Sequence, residues 1–157
     1  QPPVLSFLAS FLERTIQKNE KKKKILQNEE EEEEETITVF HGLRPPSLTI
    51  RQYIHRIFKY SSCSPSCFVV AHIYLDRYVH RTRLRWNSLN IHRLLITSLV
   101  VAAKFMDDLF FKNSYYARVG GISTAELNEL ELKFLFAIDF RLFVSVQTFM
   151  NYCSLLK

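Results

Sequence analysis

Leu94-Leu95-Ile96-Thr97-Ser98-Leu99-Val100-Val101-Ala102-Ala103-Lys104-Phe105-Met106 is the stretch that decides the fold. Its first ten residues carry no charge. A run of this length and character reads as a helix buried on more than one side. A lysine at its end must snorkel, pair with an acid, or serve a partner. Glu131, 27 residues later, sits between Leu130 and Leu132 in a second apolar helix.

Working outward, further helices announce their starts. Pro45-Pro46-Ser47 precedes a helix over 48–60, with Ile50, Ile54, Ile57 and Phe58 inward. Ser64-Pro65 supplies a cap and a proline at the first helical position. Asn87 and Ser88 offer caps for the long helix, read as 88–106. Asn113 to Val119 is short and stops at Gly120-Gly121. Ser123-Thr124-Ala125-Glu126 reads as a capping box for the Glu131 helix, and Ser145 caps a last piece. Upstream, Val4, Leu5, Leu8, Phe11, Leu12 and Ile16 make an amphipathic helix within 1–20. Four lysines and seven glutamates then dominate 21–37, which reads as a charged flexible linker. The fold class is all-α, with the helical domain over 38–157.

Composition agrees. The chain of 157 residues is 47% apolar and 13% aromatic, with only three glycines and five prolines, which argues against a turn-rich β fold. Cys63, Cys67 and Cys153 form an odd set without a CxxC pair, as in a reduced intracellular protein. No apolar stretch approaches membrane-span length, so no membrane partner is expected. Residues 1–41 hold six basic and nine acidic side chains, and residues 42–157 hold 15 and seven. The helical domain is therefore basic and favours an acidic partner surface or a polyanion.

Two pairs of charges look placed. Arg51 lies between Ile50 and Ile54, and Asp76 between Leu75 and Tyr78. They read either as an ion pair fixing helix register or as two surface charges. Lys104 and Glu131 leave the same choice open: a structural pair, or two heads at the rim of an apolar patch. In the second reading they hold the carbonyl and amide groups left open at the ends of a partner segment. Catalytic constellations are thin. His41, His55, His72, His80 and His92 are scattered, and no glycine-rich phosphate loop is present. No catalytic residue, metal site or cofactor is expected.

Several segments carry a family resemblance. They include Tyr53-Ile54-His55-Arg56-Ile57-Phe58-Lys59-Tyr60, Cys63-Ser64-Pro65-Ser66-Cys67-Phe68-Val69-Val70-Ala71, Tyr74-Leu75-Asp76-Arg77-Tyr78, Val101-Ala102-Ala103-Lys104-Phe105 and Tyr115-Tyr116-Ala117-Arg118-Val119-Gly120-Gly121-Ile122-Ser123. In this order and spacing the chain resembles the cyclins, most closely the plant P-type (U-type) cyclins, which are similar to the yeast phosphate-signalling cyclins. The resemblance implies a single cyclin box, a five-helix bundle around the central 88–106 helix, preceded by the N-terminal amphipathic helix. It implies a non-catalytic subunit that binds and activates a cyclin-dependent protein kinase, with no obligate homo-oligomer. It places a structural ion pair on Arg51 and Asp76. It places kinase binding on Lys104 and Glu131, with apolar contact from Val101, Phe105, Leu132, Leu135, Phe140 and Leu142. A substrate-docking groove would involve Ile50, Tyr53, Ile54 and Ile57, with Ile91 and His92 facing them. Tyr53, Ile57 and His92 depart from the usual residues there, so an altered or absent groove is implied.

The competing reading is a nucleic-acid module, because Arg77, Arg81, Arg83 and Arg85 cluster near Trp86. Lys21 to Lys24 is a weak import signal, and the expected location is intracellular, nuclear and/or cytoplasmic.

Overall fold

A computed structural model describes residues 2–28, 38–42 and 46–156, without the side chains of 26–28. The described residues form seven helices and no strand: α1 (Pro3–Asn28), α2 (Ile50–Ser61), α3 (Pro65–Thr82), α4 (Ile91–Met106), α5 (Asn113–Gly120), α6 (Thr124–Ala137) and α7 (Val146–Leu155). α4 is central: α2, α3, α5 and α6 all pack on it, and every residue from Leu94 to Ala103 is buried. α3 is nearly as enclosed, with α1, α4, α6 and α7 around it.

Local chemistry sets the boundaries. Thr49 accepts the Gln52 N–H while Gln52 reaches back to Thr49, a full capping box that starts α2 two residues later than read from sequence. Ser64 caps α3 with Pro65 at its first position. α4 begins at Ile91 rather than Ser88, because Asn87 Oδ1 accepts the N–H groups of Leu89 and Asn90 and holds 87–90 in a turn. Ser123 caps α6, but the Glu126 carboxylate turns to Arg93 at 2.6 Å, so only half of the expected capping box forms. Gly121, at φ 72°, ends α5 in the left-handed conformation that glycine adopts most readily.

α1 is longer than its amphipathic pattern. Leu5, Leu8, Ala9, Leu12 and Ile16 are buried against α2 and α3, and the helix runs on through the exposed Lys21 to Lys24. The linker read over 21–37 is thus helical to Asn28, and 29–37 lie outside the described residues. Among the described residues, no helix is long and apolar enough to cross a membrane.

Candidate functional site

The site is built where the end of α4, the start of α5 and the middle of α6 meet. Leu127, Leu130 and Phe134 bury one face of α6, which leaves Glu131 at the edge of that face. Lys104 closes the last turn of α4, where a cation suits the helix dipole. Its Nζ donates to Glu131 Oε1 at 2.8 Å and to Oε2 at 2.9 Å. Asn113 Nδ2 donates to the same Oε2 at 2.8 Å and to Asn128 Oδ1 at 2.8 Å.

The pair is neither sealed nor free in solvent. The Lys104 side chain keeps 29% of its accessible surface and that of Glu131 17%. An ammonium has three donors and a carboxylate about four acceptor positions. After the internal bonds, Lys104 retains one N–H and Glu131 one acceptor site for an outside group. Asn113 was read from sequence only as a helix start. An amide at a helix start that faces an acid on the next helix is the signal that would have found it.

Each charge carries an exposed apolar neighbour, Phe105 after Lys104 and Leu132 after Glu131. Leu135 and Leu142 are half-buried, and Phe136 and Phe140 are exposed with their rings edge-on at 5.1 Å. Phe140 stands on an unusual turn. It and Asp139 both adopt left-handed backbone, at φ 53° and 55°, and the Phe140 N–H closes the end of α6 on Leu135 O at 2.9 Å. Such residues cost on the order of 1 kcal/mol each. Between α4 and α5, Leu109, Phe110 and Phe111 add exposed apolar surface, Leu109 at 89%. Sequence reading passed over this run, although three apolar residues outside any helical period were its signal. Val101, by contrast, is core: one turn before Phe105 on α4, it keeps only 3% of its surface.

The other candidate residues separate. Arg51 and Asp76 do not pair. Arg51 is exposed and donates to Ser6 Oγ at 3.0 Å and Ser10 Oγ at 2.8 Å, with Glu13 Oε2 at 3.4 Å, all on α1. Asp76 instead faces α7 near Tyr152, with Oδ2 3.8 Å from His72 Nε2. The reason is α1, which lies against α2 and supplies the partners for the guanidinium. Of the groove residues, Ile54, Ile57 and Ile91 are core. Ile50 is half-buried and lies outside the cleft that Tyr53 and His92 do line, with Leu48, Arg56, Arg93 and Ile122. Tyr53 Oη donates to Gly120 O at 2.7 Å, and His92 Nε2 lies 2.8 Å from Leu48 O. Burial holds His92 below the ordinary histidine pKa and pushes the Tyr53 hydroxyl upward.

The arginine cluster is divided: Arg83 and Arg85 are exposed, whereas Arg77 and Arg81 are engaged. Arg77 donates to the carbonyls of Arg141 and Phe143 at 2.6 and 2.9 Å, Arg81 lies 3.9 Å from Asp139, and Trp86 is buried against Phe11 and His72.

The cyclin family profile matches residues 3–142. Cyclin-P3-1 of Oryza sativa subsp. japonica is 55% identical over 156 residues, 99% of this chain and 64% of that protein. Cyclin-U4-1 of Arabidopsis thaliana is 52% identical over 155 residues, 98% of this chain and 74% of that protein. Cyclin-U3-1 of Arabidopsis thaliana is 51% identical over 156 residues, 99% of this chain and 68% of that protein. The chain therefore spans 64–74% of the length of these three relatives.

Proposed function

Because the chain belongs to the cyclin family, we propose that it binds the catalytic subunit of a cyclin-dependent Ser/Thr protein kinase and activates it. The observation that carries this reading is the Lys104–Glu131 pair, partly exposed and flanked by Phe105 and Leu132. One free N–H and one free acceptor, fixed a few ångströms apart, suit the open backbone groups at the end of a partner helix. The apolar residues around them supply the contact area, and the charges supply register.

Activation follows from differential affinity. A protein kinase needs its C-helix glutamate paired with the lysine that positions ATP. A partner that binds the inward C-helix better than the displaced one shifts the population toward the active state. Moving such an equilibrium from 1:99 to 99:1 takes roughly 5.5 kcal/mol of differential binding, within reach of one well-packed interface. Within this reading Phe140 is held outward by its strained turn to fill a pocket of the kinase.

The test is reconstitution. The purified chain is mixed with a cyclin-dependent kinase subunit, and complex formation and phosphotransfer are measured together. Saturable binding with a gain of phosphotransfer supports the reading. Binding without activation reduces it to a scaffold, and no binding to any member of a kinase panel removes it.

A further inference from the structure

The two oxygens of Glu131 are not equivalent. Oε2 accepts twice, from Lys104 Nζ at 2.9 Å and from Asn113 Nδ2 at 2.8 Å. Oε1 accepts once, from Lys104 Nζ at 2.8 Å. Each carboxylate oxygen has about two acceptor positions. Oε2 is therefore full, and the acceptor left for an outside group lies on Oε1.

The Asn113 amide holds this arrangement at a cost. Its Nδ2 gives one N–H to Glu131 and the other to Asn128 Oδ1, each at 2.8 Å, while its Oδ1 is buried and accepts nothing. A buried acceptor without a donor is unfavourable. Turning the amide over would set Oδ1 against the oxygens of Glu131 and Asn128, with no proton between them. The orphan oxygen thus marks an amide fixed by its nitrogen. The start of α5 makes no use of that amide, since both of its bonds go to α6. Asn128 stands one turn before Glu131 on α6. It is exposed, its Oδ1 is turned to Asn113, and its Nδ2 has no partner among the described residues.

We propose that Asn113 is a positioning residue that turns Glu131 so that Oε1 alone faces a partner N–H, and that Asn128 is a further contact that offers its Nδ2 to a partner carbonyl.

The bonded chain Lys104, Glu131, Asn113, Asn128 then presents a donor, an acceptor and a second donor. Its complement is a backbone segment at a helix end, with one free N–H and two free carbonyls in reach. A partner that places its N–H elsewhere leaves Oε1 desolvated and unpaired, so the fixed carboxylate selects as well as binds. The identity of that partner as a kinase rests on the function proposed above; the fixing of Glu131 in the free chain does not.

The test pairs kinase titrations of the full chain with heteronuclear NMR of the free chain. Asn113→Ala is expected to weaken binding at least about fivefold with the melting temperature within a few degrees of wild type. Asn113→Asp keeps a good helix-start residue and cannot donate, so it should weaken binding at least as much. In a Glu131→Ala background, Asn113→Ala should change affinity by less than about twofold, because it acts through the missing carboxylate. A loss of the same size in both backgrounds overturns the positioning role. Asn128→Asp keeps the acceptor for Asn113 and removes the outward donor, and it should weaken binding at least about threefold. Unchanged affinity in that variant overturns the contact. In the free chain, the Asn113 side-chain N–H groups should exchange at least about fivefold more slowly than those of Asn128, and Glu131→Ala should remove the difference. Equal rates in the wild-type chain overturn the positioning role without reference to any partner. If the chain binds no kinase, the functional proposal and the Asn128 contact fall together, and the exchange rates still decide the role of Asn113.

Discussion

The guanidinium of Arg51 on α2 lies 3.4 Å from Glu13 Oε2 on α1, and the same group holds the Ser6 and Ser10 hydroxyls. One arginine therefore fastens the N-terminal helix along three successive turns.

Replacing Arg51 by alanine is expected to loosen α1 without unfolding the bundle. The ion pair is nearly half exposed, so solvent screening leaves it little net energy, and the hydroxyl bonds contribute most. The loss in unfolding free energy is about 1 kcal/mol by urea titration, with faster amide exchange confined to α1. Asp76→Asn is expected to leave α1 exchange unchanged. Equal effects of the two substitutions would mean that Arg51 and Asp76 are coupled after all.

Gly120 is expected to resist any side chain. A Cβ there would stand 2.7 Å from Ile96 Cγ1 and 3.1 Å from Tyr53 Oη, both in the packed core. Gly120→Ala should destabilise by roughly 1–3 kcal/mol, a fall of several degrees in melting temperature. At Gly121 the space is open and the obstacle is backbone, so Gly121→Asn should be tolerated better than Gly121→Val.

His72 gives the fold a pH dependence. It is fully buried among Phe11, Trp86 and Tyr152, neither ring nitrogen makes a hydrogen bond, and burial lowers its pKa against the opposing pull of Asp76. His92 is lowered in the same direction. The folded state therefore binds fewer protons than the unfolded one just below the unfolded pKa of about 6.5. Stability is full above that pH and falls as pH drops through it, by up to about 1.4 kcal/mol per pH unit for each histidine. Urea titrations at several pH values between 7.5 and 5 measure the slope. His72→Phe should flatten it, and an unchanged slope would place the effect elsewhere.

Helix starts were readable where one short-range device decides them, as at Ser64-Pro65 and Ser145. The start of α6 held at Ser123 even though Glu126 left its capping box for Arg93, whereas α2 and α4 begin two and three residues late because the Thr49 capping box and the Asn87 turn set their first residues. The meeting of Lys104 and Glu131 was legible because a lone charge in an apolar helix has few physical options. The partner of Arg51 was not, since helical periodicity shows which face a residue occupies but not which helix covers it. The burial of Val101 was hidden for a related reason: residues 101 and 105 lie one turn apart on α4, and periodicity does not say that the first is sunk and the second exposed.

The exposed apolar residues should matter for association and little for folding. Leu132→Asp and Phe140→Ala, both at exposed positions, are expected to leave the melting temperature within a few degrees of wild type. Each should weaken kinase binding at least about tenfold by calorimetric titration, as expected for an apolar anchor. Val101→Ala should do the reverse, lowering stability by about 1–3 kcal/mol through a core cavity while a folded sample keeps its kinase affinity.

The most direct measurement is the kinase affinity of Lys104→Ala and Glu131→Ala beside their melting temperatures. The pair is partly solvated, so each variant should fold with a loss of about 1 kcal/mol or less. If these two side chains grip the kinase backbone, binding should weaken by on the order of 2–5 kcal/mol in both variants. Full-strength binding by both folded variants would contradict the account.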